Sequence, residues 1–441
     1  MTICNIFIIE SVNTVKYIMK IHIDIDSFFV SAARIKDPSL EHKPVAIGGR
    51  SDTKIFNKEA KKQTVNLENS GSFVPTFYKT YEEKDDDLDA FKDESGKIRG
   101  ILTTSSYEAR ACGVKTAMNI KEALGLCPDL IIKAPNMSLY QQLSHELHEF
   151  LCTKIPLVEQ ASIDEFYGDL SGWIEDDDVA QFIDNLRHEI KNVVKLPVSI
   201  GAARTRYIAK LATTSAKPFG CKIIHPYELN EFIKNIPVAE FAGIGKSMKQ
   251  KLSSAQIHTL GDIKNRQGTL ESWGPYAKEL YKRVVGTADT PIVSTHKRKS
   301  IGISRTFDPL FQRNELRRRV HVLARHLSFA LLKLEVIPTV FHLSISYEMN
   351  QRSHKNLSLS EIFTEKKFNS LVLNLFNEAD IHKRLHIIRL SINCSSFTRD
   401  SKKELSLIGF EDEKKMRILT EQTQILREKY GIDVLKWASE L

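Results

Sequence analysis

The first strongly patterned segment is Lys20-Ile-His-Ile-Asp-Ile-Asp26, in which apolar and polar residues alternate strictly. A period of two is the mark of a β-strand, and it puts Asp24 and Asp26 on one face. Residues 1–18 stand outside this pattern, and with Met19 just before the strand they read as an N-terminal extension or as the product of an earlier start codon. Order returns after a polar gap at Ile101 to Thr104, and Ser105 caps a short helix that Gly113 ends. From Ser138 the period becomes helical, with Leu139, Leu143, Leu147, Phe150 and Leu151 recurring on one face. Val179, Phe182, Ile183, Leu186, Ile190 and Val193 mark another helix, which Pro197 closes before the strand Val198 to Ala203. Residues 225–291 are mostly helical in pattern, with Gly243-Ile-Gly245 between two helices, and 292–296 is a linker. Beyond it the expected order is strand (299–307), helix (314–334), strand (339–347), strand (356–363), helix (365–376) and strand (385–393), the βαββαβ plan of a small α+β domain.

The gap itself, 51–97, loses all periodicity and carries an acidic run between Glu82 and Glu94, so it reads as a loop insertion with no core of its own. At 441 residues the chain exceeds one small module, and 42% hydrophobic with 27% charged residues excludes global disorder. No apolar run reaches the length that spans a bilayer, so no membrane partner is expected. Six cysteines without a CxxC pair fit neither a zinc ribbon nor a secreted disulfide framework, and they read as reduced thiols in a cytoplasm. The net charge of +8 is concentrated: residues 292–356 hold twelve Lys/Arg against four acids. Such a stretch favours a polyanion as partner, with a solvated basic face as the equally common reading.

The chemistry centres on Ala161-Ser-Ile-Asp-Glu-Phe-Tyr167. Neighbours on a regular strand point to opposite faces, so Asp164 and Glu165 share a ligand only at a bend or bulge. Clustered with Asp24 they would repel one another in a half-buried site unless cations neutralise them, and hard, oxygen-liganded Mg²⁺ suits such donors. Two ions would support in-line phosphoryl or nucleotidyl transfer. An Asp-Glu pair alone is more often an exposed surface pair. Tyr107 and Arg110 lie three apart on their helix and so on one side of it, able to clamp a triphosphate, and Lys217 could add an ammonium. A half-buried ring and a helix C-terminal charge are the commoner explanations for Tyr107 and Lys217. Gly243 and Gly245 would let a phosphate approach helix N-terminal amides, although most such sequences are plain tight turns.

Taken in order, His22-Ile-Asp-Ile-Asp-Ser-Phe-Phe29, Ser106-Tyr-Glu-Ala-Arg110, Ala161-Ser-Ile-Asp-Glu165, Ala209-Lys-Leu-Ala212 with Ala216-Lys-Pro218, Gly243-Ile-Gly245 and Arg298-Lys-Ser-Ile-Gly302 resemble the Y-family translesion DNA polymerases, of the bacterial DNA polymerase IV and polymerase V catalytic-subunit type. The resemblance runs from about Met19 to Thr398, interrupted by 51–97. It implies an α+β multidomain right hand: palm (19–27 and 137–224), fingers (28–136), helix-hairpin-helix thumb (225–291), linker (292–296) and βαββαβ little finger (297–398), with a tail at 399–441. It further implies template-directed, low-fidelity synthesis past damaged bases from deoxynucleoside triphosphates on primer-template DNA. By the same resemblance Asp24, Asp164 and Glu165 are catalytic and bind two Mg²⁺ with the Ile25 carbonyl. Phe28, Phe29, Tyr107, Arg110 and Lys217 hold the nucleotide, Phe29 as the steric gate against a 2′-hydroxyl. Gly243, Gly245, Lys297, Arg298 and Lys299 contact DNA without reading its sequence. Ala242 and Ala117 depart from the family's usual Pro and Gly.

In the tail, Glu404-Leu-Ser-Leu-Ile-Gly-Phe410 resembles the peptides that dock bacterial polymerases on the sliding clamp, with Leu405, Leu407 and Phe410 as the apolar anchors. Packing of those side chains on the protein itself is the competing explanation. Two other functions fit parts of the pattern, a palm-type nucleotidyl cyclase and a DNA-binding scaffold that has lost catalysis. The thumb turn and little finger argue against the first, and the three carboxylates against the second.

Overall fold

The structure is a computed structural model that describes residues 19–51, 53–57, 64–65, 77–78, 88–92, 96–288, 290–359, 363–398 and 410–440. Two compact units emerge, one from residues up to Pro38 with Leu139–Thr295, the other from Ser39–Ser138 with His296–Leu441.

In the first unit a five-stranded sheet runs in the order Cys221–Ile224, Val198–Ala203, Lys20–Ile25, Glu165–Asp169, Leu157–Gln160. The Lys20–Ile25 strand is central and antiparallel to both neighbours. All six of its residues are buried, so its polar face is covered as completely as its apolar one. The cover over His22 is the helix Arg206–Ala216, whose Thr213 hydroxyl donates to the His22 carbonyl at 3.0 Å. Gly201 makes this close approach feasible: a Cβ there would stand 2.2 Å from the Ala209 carbonyl oxygen. Short helices follow in 229–284, with Leu252, Ile257, Leu260, Ile263, Leu270 and Leu280 forming their core. A capping box at Thr259 and Asp262 starts one of them.

The second unit holds two sheets in addition to the two-residue pair Thr64–Val65 and Phe77–Tyr78. The smaller joins Ile101–Ser105, Val45–Gly49 and Ile131–Lys133, and the helices Tyr107–Ala111 and Ile120–Leu126 help form the core around Leu102 and Ile120. Ala117, where the resemblance leads one to expect glycine, holds φ at 66°, in the left-handed region that disfavours a Cβ by about 1–2 kcal/mol. The larger is antiparallel, in the order Ser300–Leu310, Ile387–Thr398, Ile337–Tyr347, Arg352–Ser358, with helices Arg313–Lys333 and Glu365–Ala379 completing a βαββαβ element order. Its boundaries fall within five residues of the sequence reading; Arg352–Ser358 in particular starts earlier, because its side chains are mostly exposed and carry no apolar period.

One expectation needs correction. The stretch 51–97 is not free of packing: Phe91 is fully buried in the small sheet's core beneath Gly48, and Ile55 and Phe56 join the core of the larger sheet. There Phe56 meets Phe307 edge-on with centroids 5.9 Å apart, and the Arg318 guanidinium donates to the Phe56 carbonyl at 2.7 Å. Three apolar residues spread over a polar segment give no period, so the pattern hides them. In the basic stretch several residues have acidic partners. Arg313 pairs with Asp380, Arg318 and Arg319 with Glu315, Arg325 with Asp433 and Glu440, and Lys355 with Glu378.

The last of these pairings explain the tail. Arg325 is fully buried and donates to Glu440 at 2.8 and 3.1 Å, to the Ile432 carbonyl at 2.7 Å and to Asp433 at 2.7 Å. Glu365 accepts from Arg427 at 2.6 Å and from the Trp437 indole at 2.7 Å. The helix Phe410–Tyr430 is thus held through its polar face, with Thr420, Gln424 and Arg427 buried and Ile418, Leu419, Ile425 and Leu426 exposed.

Phe91→Ala should lower stability by about 3–5 kcal/mol, as expected for an emptied aromatic site in a closed core. Urea unfolding of the purified chain measures this; a loss below about 1 kcal/mol would mean that the segment is indeed a passive loop.

Candidate active site

Asp164 lies in the turn between the strands Leu157–Gln160 and Glu165–Asp169, and Glu165 is the first residue of the second strand. The turn is closed by the Glu165 carbonyl, which accepts from the Ala161 and Ser162 amides at 2.9 and 3.2 Å. This is the bend that the adjacency of the two acids requires. Register then sets Glu165 directly opposite Asp24, and the Ile25 amide donates to the Asp164 carbonyl at 3.0 Å. The Ser162 hydroxyl donates to Asp164 Oδ1 at 2.5 Å and accepts from the Glu165 amide at 3.0 Å, so one side chain fixes both acids.

Each of two carboxylates already has a lysine. Lys217, just beyond the helix Arg206–Ala216, donates to Asp24, and Lys210 lies 2.5 Å from both oxygens of Glu165. Burial pushes the Asp24 carboxyl up to about 7 against the opposing pull of Lys217, with Glu165 and Asp164 adding to the rise. Asp164 is raised too, again by burial first. Burial acts in the same direction on Glu165, but His22 and Lys210 outweigh it and bring that carboxyl down to about 2. His22 is held neutral at ordinary pH, its pKa lowered by burial to about 4.

Ligand atoms of His22, Asp24 and Glu165 all lie within 4.8 Å of one another. Of these donors the carboxylates suit a hard divalent ion, whereas the His22 ring is engaged by Thr213 at 2.9 Å and sits 4.7 Å from the Tyr167 ring. Carboxylates that burial drives toward protonation are a fitting place for a cation, which would relieve the repulsion that the two lysines offset only in part.

Asp26 does not share the face of Asp24 in function. The chain leaves the strand at Ile25, and the Asp26 carboxylate accepts from Ser199 at 2.9 and 3.0 Å and from the Phe219 amide at 2.8 Å. It therefore anchors the turn that follows Lys217. His22, Lys210, Ser162 and Ser199 went unassigned in the sequence, although His22 is two residues from Asp24 on a period of two, and Lys210 is two helical turns before Lys217.

Phe29 is half-buried and stacks on Tyr140 with centroids 4.2 Å apart and planes inclined by 13°. Phe28, expected among the nucleotide contacts, has its ring in the core at 3% exposure, because the first turn of the helix Phe28–Lys36 points it inward. Gly243 adopts φ of 99°, and Gly245 is the N-cap of the helix Lys246–Ser254 with open space where a Cβ would stand. Tyr276 donates to the Gly243 carbonyl and steadies the turn. Asp24, Asp164, Glu165 and Lys217 thus come together in the first unit.

Tyr107, Arg110, Lys297, Arg298 and Lys299 belong to the second. Ser106, one residue later than expected, caps the helix Tyr107–Ala111, and the Arg110 guanidinium lies 4.9 Å from the centre of the Tyr107 ring. Lys297 and Lys299 are exposed just before the strand Ser300–Leu310, and Arg298 is half-buried. Leu405 and Leu407 lie outside the described residues; Phe410 opens the helix Phe410–Tyr430.

The model of the impB/mucB/samB family matches residues 23–214, and the model of that family's C-terminal domain matches 298–407. A DNA polymerase IV of Oceanobacillus iheyensis is 28% identical over 421 residues, covering 94% of this chain and 90% of that protein. A DNA polymerase IV of Shewanella loihica is 31% identical over 289 residues, covering 65% and 68%. Among solved structures a Y-family DNA polymerase chimera shares the fold with a TM-score of 0.68 at 21% identity, covering 87% of this chain and 100% of the other.

Gly201→Ala should cost about 1–3 kcal/mol by overpacking the sheet against the helix that bears Lys210. Thermal and urea unfolding test this, and an unchanged stability would show that the approach of helix to strand is looser than drawn.

Proposed function

Since this chain belongs to the Y family of translesion DNA polymerases, and is by that membership a DNA-directed DNA polymerase of DNA repair, we propose that its chemistry is carried by Asp24, Asp164 and Glu165, holding two Mg²⁺ ions with the Ile25 carbonyl. The observation that carries this assignment is the convergence of Asp24 and Glu165, paired across two strands, with Asp164 in the adjoining turn. When bound, the metal ions supply Lewis acidity for nucleotidyl transfer. The protein's own groups do the rest. Ser162 and the strand register hold the carboxylates in place before any ligand arrives, so little reorganisation is needed. Lys217 and Lys210 neutralise Asp24 and Glu165, and each ammonium is suited to phosphate oxygens once a cation takes its place. Tyr107 and Arg110 offer a hydroxyl and a guanidinium for the triphosphate. Phe29, fixed by its stack on Tyr140, is the ring that leaves no room for a ribose 2′-hydroxyl.

The turn at Gly243 and Gly245 and the cations Lys297, Arg298 and Lys299 contact the DNA backbone, which makes binding independent of sequence and sensitive to salt. No helix among the described residues is long and apolar enough to cross a membrane. We place the work of the enzyme in the cytoplasm, on damaged templates, with the sliding clamp engaged through Leu405, Leu407 and Phe410.

Asp164→Asn and Glu165→Gln should each reduce Mg²⁺-dependent primer extension by at least about a thousandfold while DNA affinity stays within a few fold, since lost transition-state stabilisation of about 4 kcal/mol corresponds to that factor. Near-wild-type extension by either variant would remove these residues from the site. Phe29→Ala should admit ribonucleotides, because shape alone excludes the hydroxyl; the ratio of ribo- to deoxynucleotide incorporation tests it, and an unchanged ratio would make Phe29 a packing residue. Leu407→Ala with Phe410→Ala should weaken clamp binding and clamp-stimulated synthesis but leave clamp-independent extension intact. Titration with purified clamp decides this, and equal affinity would reject the peptide.

A further inference from the structure

Lys217 stands where the helix Arg206–Ala216 ends, and its backbone is already extended, with φ of −65° and ψ of 146°. Its course is therefore set by the residues that follow. Phe219 is the fixed point among them, with φ of 47° in the left-handed region. The Phe219 amide donates to Asp26 at 2.8 Å, and the Phe219 carbonyl accepts from the Arg187 guanidinium. Arg187 belongs to another element, the helix Val179–Val193, and its side chain is 14% exposed. Its guanidinium carbon lies 4.4 Å from the centre of the Phe219 ring, which the His188 ring meets edge-on with centroids 5.6 Å apart. Gly220 packs the turn against the helix end, where a Cβ would stand 2.1 Å from the Ala216 carbonyl oxygen.

We propose that Arg187 is a positioning residue for nucleotide binding, holding Phe219 so that the turn aims Lys217 at the triphosphate. This role rests on Lys217 being a triphosphate contact. A bond at the Phe219 amide alone leaves the turn free to pivot about it. The second bond, on the carbonyl at the far side of the residue, removes that freedom, and the flat guanidinium lying over the ring fixes the side chain as well. The Lys217 ammonium sits beside Asp24, so an error in the turn is passed on to the carboxylate and to the phosphates alike.

The competing explanation is that Arg187 only stabilises the fold. Its charge is already met within its own helix by Asp184, one turn earlier. Beyond that pair it commits a hydrogen bond and its planar face to a single residue 32 positions away, two residues after Lys217. Asp26 and Arg187 thus reach Phe219 from two different elements, a strand end and a helix, and both act on the turn rather than on the sheet core. A group that acts in this way through Lys217 has no effect once Lys217 is gone, whereas a purely structural group keeps its effect.

Nucleotide affinity is read without chemistry by titrating the correct deoxynucleoside triphosphate into the full-length protein bound to primer-template whose primer ends in a dideoxynucleotide. Arg187→Met should weaken nucleotide binding at least about fivefold, since small misplacements of a positioned group are costly, with DNA affinity unchanged. Arg187→Lys keeps a charge beside Asp184 and a donor for the carbonyl but no flat face, so its loss should be smaller. Lys217→Ala should weaken binding too, and adding Arg187→Met to it should bring no further loss. Additive losses, wild-type nucleotide affinity in Arg187→Met, or a parallel loss of DNA affinity would overturn the role of Arg187 while leaving Lys217 at the triphosphate. Wild-type nucleotide affinity in Lys217→Ala would instead remove the lysine from the triphosphate, and the proposal with it. If Arg187→Met does not fold, the same cycle with Arg187→Lys is decided by the same outcomes.

Discussion

The arrangement around Asp24 follows from the need to keep three carboxylates together near the end of a buried central strand. Two acids a few ångströms apart repel by several kcal/mol at the effective dielectric of a protein, about 20, and burial adds its own penalty. The Asp24 carboxyl, pushed up to about 7, shows that this tension is only partly relieved. The fold supplies what relief it can from one helix, Arg206–Ala216, which carries Lys210 and leads into Lys217. That helix can sit where it does because Gly201 has no side chain and because Thr213 bonds both the ring and the carbonyl of His22. Asp26, set aside from the cluster, secures the turn after Lys217.

The two lysines offset part of the charge of Asp24 and Glu165 from half-buried positions, so neither carboxylate is left without a cationic partner. The second unit handles charge in the opposite manner. Arg325, Glu440, Glu365 and Arg427 are locked in buried pairs that fasten the C-terminal segment, and removing one partner of such a pair leaves an uncompensated buried charge at a cost of about 3–5 kcal/mol. Its helix consequently turns a polar face inward and leaves leucines and isoleucines outside.

Much of this was legible in the sequence where a period or an adjacency carried it. The alternation at 20–26 announced the central strand, the Asp164-Glu165 adjacency required a bend and the structure provides one, and the βαββαβ order followed from apolar spacing. What stayed hidden depends on contacts between distant residues. Lys210 and His22 gain their meaning from Glu165, and Arg325 from Glu440, none of which a local window can see. Phe91, Ile55 and Phe56 are isolated apolar residues in polar surroundings, so no periodicity marks them as core. Of the twelve basic residues of 292–356, several are held in ion pairs whose partners lie far off in sequence, which a count of charges does not reveal.

We propose that the carboxylates form a two-metal centre whose lysines give way to cations. Counting bound Mn²⁺ by electron paramagnetic resonance, in a complex with primer-template and a non-hydrolysable correct nucleotide, addresses it most directly. The account predicts two bound ions per wild-type chain and fewer than two for Asp24→Ala at the same free Mn²⁺. Equal occupancy in both proteins would contradict it.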